Sequence, residues 1–166
     1  MSENPTVNRY LTDKAMDHID HALGRPLDPL GKTYRAYFAI GKNSELANEF
    51  RASPHWAEGQ EVPGGLASFH PTQEGRHALA DHLKAIGDPH RGYLVSFEGH
   101  TTMVVAKSRS GARYSYYLRI SDCLPDMTFG DFGFIVFELL LLSFAQTFAF
   151  EAHLVSFAEP RQLHQP

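Results

Sequence analysis

Apolar residues recur at helical spacing in three stretches of the first half of the chain, each flanked by helix-capping residues. The first predicted helix follows Thr12 or Asp13 as its N-cap and ends at Gly24, because glycine readily takes the left-handed conformation of a helix end. Its inward positions are Ala15, Met16, Ile19, Ala22 and Leu23. Two prolines between residues 25 and 29 then force a connection, since proline breaks a helix.

Capping residues also mark the second and third predicted helices. The second follows Ser44 and stops before Ser53-Pro54, because the residue before a proline disfavours the helical conformation. The third has the clearest pattern in the chain, with Thr72 as its cap and Gly87 at its end. The inward positions are Leu46, Ala47 and Phe50 in the second helix, and Ala78, Leu79, Leu83 and Ile86 in the third.

Short apolar runs predict strands between these helices. Residues 34–40 form a short strand or a helical turn, and residues 66–70 form a short strand. Residues 58–65, which contain two adjacent glycines after a proline, are expected to be a flexible loop or the tip of a hairpin.

A β-β-α unit is predicted after the third helix. Two strands, 93–97 and 101–106, are joined through the Glu-Gly-His sequence at residues 98–100. A helix then begins after Ser108 or Ser110 and runs to about Ser121. The helix would cover an apolar face of the hairpin, made of Val95, Phe97, Met103 and Val105 in some register.

The run of residues 132–150 is almost entirely apolar, and Glu138 is its only charged residue. A run of this length reaches the threshold of about 18 residues for a membrane span. A glutamate near the bilayer centre would cost roughly 2.5–3.5 kcal/mol, however, so a membrane segment is not favoured. We expect residues 132–158 to be a buried core element or an oligomer interface. A membrane tail and a tail foreign to the ancestral domain are the alternatives.

These elements predict an α+β fold of three parts. Residues 1–90 form a helical N-terminal module, residues 91–130 the β-β-α module, and residues 131–166 an apolar C-terminal element and tail. A chain of 166 residues can bury such a core without disulfides or structural metals.

Composition narrows the classes of function. The single cysteine, Cys123, excludes an internal disulfide, and the N-terminus has no apolar signal region, so a cytoplasmic protein is expected. The net charge of −4 argues against a large DNA-coating surface but allows a local basic patch. Cys123 is expected to be buried or inert, because it lies near Asp122 and Asp126 rather than beside a cation. No motif for a nucleophile or a phosphate loop is present, so the prediction is a non-enzymatic protein without a cofactor.

Histidines offer a metal site as an alternative. Asp17, His18 and His21 can share one face of the first helix, and this combination can hold zinc or iron if further ligands exist. A solvated polar face opposite the apolar stripe is the favoured interpretation. Other histidines are either on the third helix with an aspartate (His77, Asp81, His82) or near strand and loop ends (His70, His90, His100).

The strongest functional pattern is a basic segment at the start of the fourth predicted helix. A helix N-terminus presents free N–H groups that suit a phosphate. Serine hydroxyls, cations and a tyrosine that can stack on a base surround it. The candidate residues are Lys107, Ser108, Arg109, Ser110, Arg113 and Tyr117. The partner would be nucleic acid or an acidic protein surface, and a soluble helix face with scattered arginines is the alternative.

The run LASFHPTQEGRHAL, from Leu66 to Leu79, resembles the strand-to-helix join of winged-helix proteins. In those proteins an aromatic strand end, a threonine, an acidic residue and a glycine precede a helix with Ala-Leu inward. The resemblance implies winged-helix-like packing of the N-terminal module. The layout as a whole resembles small proteins encoded by phages and prophages of proteobacteria, which implies a mobile-element origin but no particular activity.

The functional prediction is therefore a mobile-element accessory or regulatory protein that contacts nucleic-acid phosphates. Two other classes stay open. One is a protein-binding inhibitor of a host system, such as an anti-defence protein. The other is a small metal-dependent enzyme that uses the histidines.

Overall fold

The computed structural model describes residues 4–124, 126, 128–130 and 135–139, the last of these by their backbone. This part of the chain is a mixed α+β fold, as predicted, with four α-helices and two three-stranded antiparallel sheets. The elements in order are α1 (Lys14–Leu23), β1 (Phe38–Gly41), α2 (Glu45–Ala52), β2 (Trp56–Val62), β3 (Leu66–Pro71), α3 (Gln73–Ala85), β4 (Arg91–Phe97), β5 (His100–Ala106), α4 (Arg109–Ile120), a 3₁₀ turn (Ser121–Cys123) and β6 (Ile135–Leu139).

The first sheet has the strand order β1-β3-β2, so β3 is its central strand. Phe69 on β3 is fully buried and pairs with Phe38 across the sheet. The Phe50 ring of α2 stacks on Trp56 at 4.1 Å between centroids and meets the Phe69 ring edge-on at 5.4 Å. Such aromatic pairs add specific geometry to a large buried area. Together with Leu79 of α3, they make the core that fixes the first module.

A buried ion network ties the N-terminal segment to α1. Arg9 donates from Nε and Nη2 to the two carboxylate oxygens of Asp20, at 2.9 and 2.6 Å, and Asp20 is fully buried. Arg9 also pairs with Asp88 at 3.0 Å, and Arg25 pairs with Asp17 at 2.8 Å. Burial raises the pKa of Asp20 despite its guanidinium partners. Because buried charges are tolerated only when paired and hydrogen-bonded, the network holds the segment in one place.

The second sheet has the strand order β5-β4-β6. Glu98 and Gly99 both have positive φ, which is the requirement of a type I′ hairpin turn. This turn sets Tyr93 opposite Val104, so the face of β5 that packs against α4 contains Val104 and Ala106. The predicted inward pair, Met103 and Val105, is therefore wrong, because a shift of one position along a strand exchanges its faces.

Helix caps agree with the predictions. Asp13, Ser44, Thr72 and Ser108 each accept a hydrogen bond from a first-turn N–H group of the helix that follows. The predicted stripes hold for most positions, including Ile19, Leu79 and Leu83. Two predicted inward positions are wrong, since Ala15 is exposed and Ile86 is 54% exposed. Both lie at helix ends, where the helix projects beyond the sheet.

Residues 58–65 are mostly strand rather than loop. β2 continues to Val62, and only residues 63–65 form the turn before β3. The polar sequence of β2 did not predict this strand, because an edge strand exposed to solvent needs no apolar alternation. Pairing with β3 decides its conformation, with a register shift between Glu58 and Glu61.

The segment that resembles a winged-helix protein does form a strand-to-helix join. β3 runs into the cap Thr72 and then into α3, as the resemblance implies. Within the described residues, one helix of eight residues, α2, lies between β1 and β2. A helix-turn-helix needs two helices there. The described residues show the strand-to-helix join but not this helix pair, and winged-helix-like packing of the module stays a prediction.

Most of the apolar C-terminal run lies outside the described residues. Residues 135–139 form β6, which pairs antiparallel with β4. The predicted core or interface role of residues 132–158 is otherwise untested. In the part of the chain that the structure describes, none of the helices has the length and apolar character needed to cross a membrane.

Candidate functional site

A cleft of about 440 Å³ lies where the N-terminal segment of the first module meets the junction of β5 and α4. Thr6, Val7 and Asn8 line one side of it. The junction contributes Lys107, Ser108, Gly111 and Ser115, and His90 comes from the loop before β4. The cleft therefore needs residues that are about one hundred positions apart in the sequence.

The local sequence explains why α4 starts at this place. Ser108 has an extended backbone, and its hydroxyl oxygen accepts a hydrogen bond of 3.1 Å from the Gly111 N–H. The Ser110 hydroxyl lies 3.2 Å from that of Ser108. Ala112 is fully buried and anchors the first turn against the sheet. The other first-turn N–H groups have no carbonyl partner within the helix, so the helix start carries partial positive charge.

The charges around the cleft favour an anion. Lys107 lines it, and Arg109 is exposed on the first turn of α4. The residues that line the cleft include no aspartate or glutamate. Asp88 is the acidic partner of His90: its carboxylate contacts His90 Nδ1 at 2.6 Å and also pairs with Arg9. Asp88 is thus already engaged by two groups that can carry positive charge.

Two predicted site residues lie on another side of α4. Arg113 is not among the residues that line the cleft. Its guanidinium carbon lies 5.5 Å from the centre of the Phe129 ring. The Tyr117 ring also packs on Phe129, at 5.5 Å between centroids. The structure therefore brings Lys107 and Ser108 to the cleft. Arg109 and Ser110 are exposed on the first turn of α4 and follow Ser108 in the chain, but they do not line the cleft, and Arg113 and Tyr117 contact Phe129 instead.

The sequence pattern did not indicate several cleft residues, among them the polar side chains of Thr6, Asn8, His90 and Ser115. Thr6 and Asn8 belong to an N-terminal segment without a secondary-structure pattern, and His90 was noted only as a histidine at a loop end. The alternation of apolar Val7 and Leu11 with polar neighbours was the available signal that this segment packs on the domain.

The predicted metal candidates on α1 do not converge. The Asp17 carboxylate is occupied by Arg25, and the rings of His18 and His21 each lie 5.5 Å edge-on from the Phe38 ring. His18 is half-buried, so this face is less solvated than predicted. Among the described residues, no group of three or more His, Cys, Asp or Glu side chains is placed to hold a metal ion.

The remaining candidates lie apart from one another. His77 contacts the Gln73 carbonyl at 2.7 Å within α3, and His70 contacts the Ala36 carbonyl at 2.9 Å. Cys123 is exposed, in the 3₁₀ turn after α4, so the buried alternative is wrong, whereas an inert thiol stays a prediction.

No family model matches the chain, and no curated protein or solved structure is significantly similar to it.

Proposed function

We propose that this is a non-enzymatic nucleic-acid-binding protein whose cleft takes a phosphate of the backbone. One observation carries the proposal. Lys107, His90 and the first turn of α4 meet in a single cleft that is not lined by any carboxylate. Arg109, which follows the cleft residue Ser108 in the chain, is exposed and adds a second cation.

The chemistry of this cleft suits a phosphate. N–H groups at a helix start point toward an anion, and the helix dipole favours negative charge there. Lysine adds a point charge that does not require one fixed geometry. With an overall charge of −4, the protein would contact few phosphates, so its binding should be modest and sensitive to salt.

No structural observation favours the other two classes. The metal candidates on α1 are separated by an ion pair and by ring packing. An inhibitor of a host system, and a mobile-element origin, stay predictions from the sequence. A protein partner for the cleft would be acidic, and it becomes an outcome of the experiment below.

The experiment is a titration of the protein against labelled mixed-sequence duplex and single-stranded oligonucleotides at low and moderate salt. We expect binding that weakens with salt. A Lys107→Ala/Arg109→Ala variant should bind about tenfold more weakly at low salt and lower the salt slope by about two.

A matched control is Lys14→Ala/Lys84→Ala, which removes the same charge from exposed positions on α1 and α3. It should bind nearly as the parent does. Equal losses in the two variants would show that total charge, not the cleft, governs binding. Absence of binding at low salt would overturn the proposal and turn attention to an acidic protein partner.

A further inference from the structure

Three tyrosines are unusually exposed around the C-terminal end of α1. Tyr10 is 80% exposed, Tyr34 is 75% exposed and Tyr37 is 52% exposed. Tyrosine offers a rigid aromatic face at a low entropic cost, and clusters of exposed aromatic side chains mark interaction surfaces. None of the three belongs to either core cluster.

Arginines lie against two of these rings. The Arg25 guanidinium carbon lies 4.4 Å from the centre of the Tyr10 ring, and that of Arg35 lies 5.5 Å from the Tyr37 ring. The Tyr34 ring covers Gly24, the residue that precedes Arg25, so closely that any side chain at this glycine would collide with it. Tyr34 therefore covers the backbone at Gly24, whereas Tyr10 packs on the side chain of the next residue, Arg25. We call Tyr10, Tyr34, Tyr37, Arg25 and Arg35 the tyrosine–arginine surface.

Among the described residues, Arg25 of this surface pairs with Asp17 and Asp20, which leaves Arg35 as the arginine of the surface without an ion pair. No carboxylate lies within ion-pair distance of Arg35 among the described residues. Its Nε is buried without a hydrogen-bond partner, and its Nη2 makes only a long contact of 3.3 Å to the Tyr37 carbonyl. Burial lowers the pKa of the nearby His21, and the charges of Arg35 and Arg25 lower it further. Arg35 thus carries a positive charge that is available to attract an anionic partner.

The N-terminal segment connects this surface to the cleft. Val7, Arg9 and Leu11 are buried, whereas the residues between them and before them are exposed. Thr6 and Asn8 are exposed residues that line the cleft, and Tyr10 follows only two positions later. Two residues span at most about 7 Å, so one extended ligand can touch both places.

We propose that the tyrosine–arginine surface stacks unpaired bases, so that the nucleic acid bound at the cleft is single-stranded. The inference rests on the proposed function. A strand whose phosphate occupies the cleft would pass Asn8 and place its next bases on Tyr10 and Tyr34, with Arg35 near the backbone. Aromatic rings beside arginines are the combination that binds single strands without reading their sequence. Duplex bases are already stacked on one another and cannot use these rings.

The decisive probes are a labelled thymidine oligonucleotide, the same backbone lacking its bases, and a duplex of equal length. The parent protein should prefer the thymidine strand to the abasic strand by about tenfold. A Tyr10→Leu/Tyr34→Leu variant should lose this preference, with duplex binding changed by less than about twofold. Its far-UV circular dichroism and unfolding midpoint establish that it is folded.

Two controls separate stacking from other contributions. Tyr10→Phe/Tyr34→Phe keeps the rings and should bind the thymidine strand like the parent. Tyr114→Leu removes another exposed tyrosine, whose ring packs beside Phe129, and should have no effect. Equal binding of the thymidine and abasic strands, still weakened by Lys107→Ala/Arg109→Ala, would overturn the stacking inference and leave phosphate binding intact. Absence of binding to every probe would overturn both.

Discussion

The two sheets of this protein are held together in different ways. Around the first sheet, eleven buried residues from helices, strands and the N-terminal segment form one cluster, and a buried ion network supports it. Among the described residues around the second sheet, whose strand β6 is described by its backbone alone, five buried residues pack under α4. The first module has aromatic rings locked against each other, whereas the second has mostly small and β-branched side chains.

This difference assigns different roles to the two modules. The first module fixes the position of the N-terminal segment, because Val7 and Arg9 of that segment are buried. The second contributes the start of α4. The cleft lies where they meet, so neither module contains the whole candidate site. If the first module contributes more to stability than the second, substitutions in its core should lower the free energy of unfolding more.

The largest effect should come from the aromatic core. Phe69→Ala removes a fully buried ring, and we expect it to lower the free energy of unfolding by about 4 kcal/mol. Val104→Ala in the second module removes less buried volume and should cost about half as much. Urea unfolding followed by circular dichroism measures both. Equal losses would contradict the contrast between the two cores.

The second-largest loss in the free energy of unfolding should come from breaking the buried ion network around Arg9 and Asp20. Asp20→Ala leaves the buried Arg9 with Asp88 as its one remaining carboxylate partner, and we expect a loss of about 3 kcal/mol in the free energy of unfolding. Lys42→Ala is the control, because it breaks an exposed pair with Glu61 and should cost less than about 1 kcal/mol. If both substitutions were equally mild in urea unfolding, the network would not hold the N-terminal segment.

The free energy of unfolding should depend on pH through the ionisation of Asp17. Burial alone would raise the pKa of this carboxyl, but hydrogen bonds from Arg25 and the Leu11 N–H, with nearby positive charge, lower it. Because the pKa is lower in the folded state, the ionised carboxylate stabilises the fold at pH values above its ordinary pKa of about 4. This stabilisation is lost as the pH falls through the pKa of the folded state. Asp17→Asn should therefore cost about 1.5 kcal/mol at neutral pH and progressively less on acidification. Urea unfolding curves of the parent and the variant, recorded from neutral to acidic pH, measure the difference in their free energies of unfolding. A difference that does not change with pH would show that Asp17 is not the source of the pH dependence.

The smallest effect should be a gain. Glu98 has a φ of 47°, which is unfavourable for a residue with a side chain, and asparagine tolerates this conformation better. Glu98→Asn should raise the free energy of unfolding by about 0.5 kcal/mol. Gly99→Ala, at a φ of 80°, should lower it by about 1 kcal/mol. A shift of the urea midpoint in the same direction for both would exclude the proposed turn.

Part of the candidate site could be predicted from the sequence, and the reason is local. Lys107, Ser108 and Arg109 are adjacent in the sequence. Ser108 is the N-cap of α4, and a capping serine indicates a helix start from local sequence alone. Arg113 was assigned to the same site because it lies four positions after Arg109. The structure shows that this side of α4 contacts Phe129, a residue from a later loop that no helical periodicity could indicate.

The sequence by itself determined the α+β class, the four helix starts and the β-β-α unit, because capping and short-range periodicity act within a few residues. Only the tertiary structure decided which face of β5 is buried, that the polar stretch of β2 is a strand, and that Tyr34 covers Gly24 while Tyr10 packs on Arg25. Those features depend on strand register and on contacts between distant segments. Their energies come from burial and pairing that exist only once the chain has folded.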